Sequence, residues 1–183
     1  MVTLAPGVLL IADPFLKDPN FARTVVLLCE HQDKGSFGFV LNKLFDQQLD
    51  ELIPEVLVAK VPVYVGGPVQ MDTIHFVHQQ PDIITGGMQI GPGIFWGGHF
   101  DKVVEHINDG SVDLDKIKFF IGYSGWSSGQ LGEEMEEKSW IISPATTTLV
   151  FDRDEQQLWQ KALKSMGSNF AMMANFPIDP SLN

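Results

Sequence analysis

The chain has 183 residues, 44% hydrophobic and 19% charged, which is a globular composition and excludes a disordered one. Twelve Lys and Arg against 23 Asp and Glu give a net charge of −11. The basic residues are scattered singly, which argues against direct nucleic-acid binding and against a membrane surface. Cys29 is the single cysteine, so an internal disulfide and a multi-cysteine metal knuckle are excluded and a reducing compartment fits. No basic stretch precedes an apolar one at the N-terminus and no apolar run reaches about 18 residues, so the expected location is cytoplasmic.

The length suits one domain over residues 1–183. Val8–Ala12 reads as a short strand closed by Asp13-Pro14. Thr24–Cys29 reads as a buried central strand, and Ser36–Asn42 as its hairpin partner across Asp33-Lys34-Gly35. Gly38 within that partner signals a bulge or a close backbone approach. A short helix is expected over Gln48–Leu52, and strands over Val63–Val65 and Ile74–His78. Gly86–Gly98 holds six glycines around the short strand Ile94-Phe95-Trp96. His99–Asn108 reads as a helix with Phe100, Val103, Val104 and Ile107 on one stripe. Ile117–Tyr123 is a strong strand, after which Gly125-Trp126 predicts a turn. Ser127 and Gln130 have capping-box spacing for a helix to about Lys138. Trp140–Ile142 and the β-branched Thr146–Phe151 read as strands. Asp152 and Glu155 open a helix lined by Leu158, Trp159, Ala162, Leu163 and Met166, and a last helix covers Asn169–Ala174. The pattern predicts an α+β fold with a mixed, mostly antiparallel sheet and flanking helices.

No intact reaction signature stands in the chain. The phosphate-loop pattern is absent, and Gly91-Pro92-Gly93 misses the dinucleotide spacing by one residue. Gly122-Tyr123-Ser124-Gly125-Trp126 resembles a nucleophile elbow, but Trp126 replaces its last glycine. The five histidines, at 31, 75, 78, 99 and 106, show no metal-ligand spacing, so no metal and no cofactor is expected. Strand alternation puts Cys29 and His31 on one face, where the imidazole could hold a thiolate; the commoner fate of a lone cysteine is a small buried hydrophobe. Glu133, Glu134, Glu136 and Glu137 form an acidic cluster late in a helix, where the dipole does not favour most of them. Arg23, ahead of a buried strand, could pair with Asp13 or Asp18 or receive an anion.

The segments together resemble the AlgH/YqgE family of bacterial proteins. The resemblance rests on Gly7-x-Leu9-Leu10-Ile11-Ala12-x-Pro14, Asp18-x-Asn20-Phe21-x-Arg23 through Glu30-His31, and Gly35-x-x-Gly38-x-Val40-Leu41-Asn42. It continues in Gly66-Gly67-Pro68-Val69, Gly122 to Leu131, Ser139-Trp140 and the terminal Pro180-Ser181-Leu182-Asn183. Two departures are Gly132, where the family usually carries Glu, and Lys138, where Asn is usual. The resemblance implies a single α+β domain with a curled sheet, in a family of mostly uncharacterised members, some labelled transcriptional regulators.

The expected function is a cytoplasmic binding or regulatory module acting through an unknown protein partner or small ligand. Its candidate surface joins Asn20, Arg23, Glu30, Asn42, Gly66, Gly67, Ser124, Trp126 and Gln130, with Trp96 and Trp126 as aromatic anchors. The alternative is an enzyme that uses Cys29 with His31 in thiol or hydrolytic chemistry.

Overall fold

The computed structural model describes residues 1–58 and 60–178, so the terminal Pro180–Asn183 motif lies outside the described residues. Strands β1 (Val8–Ala12) and β2 (Val25–Gln32) are apolar at successive positions, a pattern that requires both sheet faces to be covered. Leu9, Ile11, Val25, Leu27 and Cys29 enter one core, while Val8, Leu10, Ala12, Val26 and Leu28 enter another. The remaining strands are β3 (Gly35–Val40), β4 (Val63–Val65), β5 (Val69–His78), β6 (Met88–Gly91), β7 (Ile94–Trp96), β8 (Ile117–Ser127) and β9 (Trp140–Pro144). The helices are α1 (Leu49–Leu52), α2 (Phe100–Asn108), α3 (Gln130–Glu136), α4 (Thr147–Val150), α5 (Leu158–Ser165) and α6 (Ser168–Met173).

The strand order is β6-β7-β5-β8-β3-β2-β1-β9, with β4 beside β8. The β4–β8 pair is parallel and the others are antiparallel, the mixed α+β architecture that the sequence predicts. The sheet curls into a half-barrel. Residues from both ends of the strand order, such as Ile90 and Ile94 at one and Leu9 and Ile11 at the other, meet in a single cluster inside the curl. Leu149, Leu158, Trp159, Ala162 and Leu163 of α4 and α5 fill the same space. Gly7, just before β1, lies against the opposite edge: a Cβ there would sit 2.1 Å from the Ile90 carbonyl oxygen. Outside the curl, α3 covers one end through Leu131, and α1 and α2 cover the other through Leu49, Val103 and Ile107.

Several local expectations are corrected. Thr146–Phe151 is not a strand: the Thr146 hydroxyl accepts the Leu149 N–H, and that cap starts α4. Gly125-Trp126 does not turn out of the sheet, because β8 runs on to Ser127 and pairs Trp126 with Ser36. Gln130 makes only the reverse half of a capping box, its Oε1 accepting the Ser127 N–H, while Gly129 supplies the left-handed N-cap of α3. Asp152 and Glu155 give a turn, and α5 begins at Leu158. Met88–Gly91, read as loop, is an edge strand. Gly38 does mark a close approach, since a Cβ there would lie 2.3 Å from the Leu27 carbonyl oxygen. No described helix is long and apolar enough to cross a membrane.

Candidate functional site

The β2–β3 hairpin decides the fate of Cys29 and His31. Leu28 pairs with Gly38 and Glu30 with Phe37, so Cys29 is the extra residue of a β-bulge. Alternation restarts after it. Glu30 faces inward with Phe37, and His31 faces outward opposite Ser36, on the side of Trp126. The expectation that Cys29 and His31 share a face is therefore wrong. Cys29 is buried, and burial, with the Glu30 carboxylate as a lesser cause, pushes its thiol well above the ordinary range. His31 Nδ1 instead meets the Ser36 hydroxyl at 2.6 Å across the hairpin. The pair cannot hold a thiolate.

The other expected residues do not form one surface. Arg23 stands at the opposite end of β2 from Glu30, on the order of 20 Å along the strand. Its guanidinium donates to the Phe176 carbonyl at 2.6 Å and lies 4.6 Å from the Trp159 ring, rather than pairing with Asp13 or Asp18. Asn42 locks the same corner: its Oδ1 accepts the Val25 N–H and its Nδ2 donates to the Arg23 carbonyl. This clamp holds Arg23 at φ 53°, in the left-handed region. Asn20 and Gly67 do meet, in a cleft of about 260 Å³ that Lys43 and Met71 also line. Gly66 and Ser124 meet as well, but inside: Ser124 is fully buried and its hydroxyl donates to the Gly66 carbonyl at 2.9 Å. That bond withdraws it from hydrolytic chemistry.

Trp126 is likewise buried and is not an exposed anchor. Its indole N–H donates to Glu134 Oε2 at 2.9 Å, and Trp140 donates to the same oxygen at 2.8 Å. Gln130 Nε2 donates to the other oxygen at 3.1 Å. Glu134 thus has a structural reason to be there, which its neighbours Glu133, Glu136 and Glu137 lack. Among the described residues no three His, Cys, Asp or Glu side chains gather where they could hold a metal ion.

What the fold does assemble is an aromatic cleft at the inner end of the curl. Phe37, His75, Trp96 and Tyr123 line a space of about 250 Å³. Phe37 and Tyr123 also line an adjoining cleft of about 430 Å³, rimmed by Glu30, Gln32, Lys34 and Ser36. The four rings come from β3, β5, β7 and β8, which the sheet order places side by side. Three polar groups here are not used by the fold. Thr73 Oγ1 donates to the Gln70 carbonyl, so it must accept from His75 Nε2 at 3.0 Å. That arrangement puts the proton on Nε2 and leaves His75 Nδ1 an acceptor without a partner among the described residues. The Trp96 indole N–H and the Tyr123 hydroxyl also have no hydrogen-bond partner there, and neither is sealed from solvent. Burial lowers the His75 pKa below its ordinary 6.5, so the ring is neutral at pH 7. His78, by contrast, is consumed: its Nε2 donates to the Gly97 carbonyl and its Nδ1 accepts the Gln80 N–H.

Of the sequence candidates, Trp96 lines the aromatic cleft itself, while Glu30 and Trp126 meet on the lining of the adjoining one. Phe37, His75 and Tyr123 are missed, because aromatic residues on strands read as ordinary core. The signal that could have found them is their number on four strands that must share one face. Inside the same curl but outside the cleft, Lys118 is buried with its ammonium 4.3 Å from the Tyr64 ring and 2.8 Å from the Asp152 carbonyl. Burial lowers its pKa to about 7, against the pull of Asp152.

The AlgH-like family pattern (DUF179) matches residues 9–171. A UPF0301 protein of Chlorobaculum tepidum is 42% identical over 180 residues, covering 98% of this chain and 96% of its own. One from Cytophaga hutchinsonii is 40% identical over 181 residues, covering 98% of this chain and all of its own. The solution structure of AlgH from Pseudomonas aeruginosa is similar at a TM-score of 0.74 and 28% identity, over 97% of this chain and 98% of that one. The crystal structure of DIP2367 from Corynebacterium diphtheriae, at 23% identity, has the same fold with a TM-score of 0.82, over 96% and 94% of the two chains.

Proposed function

This chain belongs to the AlgH-like family, and from that premise we propose that it is a binding module whose ligand seats in the cleft of Phe37, His75, Trp96 and Tyr123. One observation carries the reading. Four aromatic side chains from four strands converge on an open space where an imidazole nitrogen, an indole N–H and a phenol hydroxyl are unspent. Polar groups that a fold leaves free inside an apolar concavity are the usual means of orienting a ligand. The thiol enzyme is set aside, since the bulge turns His31 away from a sealed Cys29.

The single reduced cysteine supports work in the cytoplasm. A regulatory effect would pass through what the cleft holds, because a net charge of −11 opposes direct contact with DNA. Native mass spectrometry of the protein isolated gently from its own host tests the reading. The expected result is a defined extra mass on the wild type that is lost from Trp96→Leu. A bare protein, together with a fragment screen by NMR whose shifts avoid the four rings, would overturn it.

A further inference from the structure

Resting on that cleft, we propose that the group it accepts is a methylated ammonium head, held by the rings of Phe37, Trp96 and Tyr123 with Glu30 beside it. The first argument is the inclination of the walls. Phe37 and Trp96 meet at 64° with centroids 4.9 Å apart, Phe37 and Tyr123 at 73° and 6.0 Å, and Tyr123 and His75 at 85° and 6.0 Å. Phe39, fully buried, lies beneath, at 77° to Phe37 and 40° to His75. A flat heteroaromatic ligand wants two parallel walls to stack between. Steeply inclined walls make a corner, which suits a compact, rounded group.

The second argument is charge. Ring faces carry negative quadrupole density and attract a cation placed against them. Glu30 points to the same side of the sheet as Phe37 and rims the adjoining space, and the chain as a whole is at −11. His75, neutral through burial, adds no competing positive charge. Lys34 is the one cation among the residues lining the two clefts, and it is exposed at the hairpin tip. The third argument is hydration. A primary ammonium is strongly hydrated and would lose three water bonds against an apolar wall. A methylated head has no such bonds to lose, and its stem can run out past Glu30.

The test uses choline against its uncharged isostere 3,3-dimethyl-1-butanol, with Trp fluorescence and NMR shifts as readouts on the full chain. Choline is expected to bind at least about tenfold more tightly, the advantage that cation–π contact gives in a partly desolvated site. Trp96→Leu keeps an apolar wall but no π face. With its fold checked by NMR dispersion, it should lose most of that tenfold preference of choline over the isostere, whatever the variant's absolute affinity for either. A short peptide bearing trimethyllysine is a second probe. Tighter binding of the peptide than of choline also supports the proposal and assigns the head to a protein side chain. Equal binding of choline and the isostere overturns the charge assignment while leaving the cleft as a ligand site. No binding of choline or the peptide at millimolar concentration also overturns it, and the cleft reading then stands or falls by the mass-spectrometric result.

Discussion

Cys29 and Lys118 place two ionisable groups inside the same curl, where burial disfavours the charged form of each, raising the thiol pKa and lowering that of the amine. Burial raises the Cys29 thiol above its ordinary value of 9.0, so the folded chain keeps a proton that the unfolded chain releases. That contribution is complete below pH 9 and is lost as pH rises further. Thiol reagents at pH 8 should therefore label Cys29 only after denaturant is added; labelling of the native protein would restore the thiol chemistry. Lys118 has the reverse sign. Its folded pKa of about 7 lies below its ordinary 10.5, so between these values the unfolded chain holds the extra proton and stability rises with pH. Lys118→Met removes that slope, although it also unpairs the Val150 and Asp152 carbonyls that the amine caps. Urea unfolding of both proteins from pH 6.5 to 10 should show the wild type gaining on the variant by a few kcal/mol, at roughly 1.4 kcal/mol per unit of pKa displacement. A difference that stays flat across this range would mean that Lys118 keeps its charge when folded.

At the scale of elements, what the sequence made legible was periodicity, and what it hid was register. The stripe of α2 and the two-faced apolar pattern of β1 and β2 come directly from spacing, and the structure keeps them. The bulge at Cys29 has no local signature, because it depends on which residue of β3 stands opposite. One unpaired residue reverses every side chain after it, and the candidate pair Cys29 and His31 fails for that reason. The Asn20–Arg23 loop and the Glu30 end of β2 are near in sequence yet separated by the strand's length. The acidic run of α3 shows the same limit. Glu134 is explained only when β8 and β9 bring Trp126 and Trp140 to it from either side. Glu134→Leu would leave two indole donors without a partner. A loss of roughly 2–4 kcal/mol is expected, with a changed near-UV Trp signal, since bonds to a charged acceptor are the stronger kind. Glu134→Gln should recover part of that loss. The two departures expected from the resemblance lie in this helix, at Gly132, and just past its end, at Lys138. Gly132 faces open space, where a larger side chain would fit. Lys138 sits at φ 61°, a conformation that the expected Asn adopts more readily.

For the whole molecule, the decisive contact is where the curl nearly closes. Among the described residues the sheet has no hydrogen-bonded ladder between β6 and β1, yet side chains from both arms pack in one cluster. Gly7 makes that possible twice over. At φ +84° it takes a backbone shape that L residues avoid, and its missing Cβ leaves room for the Ile90 carbonyl. Its own amide donates to the Leu28 carbonyl and its carbonyl accepts from Ala145, so it cannot move aside without breaking the β1–β2 edge or the approach to α4. Gly7→Ala should cost at least about 2 kcal/mol, the sum of left-handed strain and an overlap that the backbone cannot relieve locally. The β6–β7 arm carries Trp96, so opening this seam should also loosen the aromatic cleft, although Gly7 does not line it. Hydrogen exchange measures both effects: faster exchange in Gly7→Ala is expected around Ile90 and in β7, with β2 and β8 shifting only by the global loss. Uniform acceleration across all strands would mean instead that the curl unfolds as one unit and that the cleft has no independent dependence on its closure.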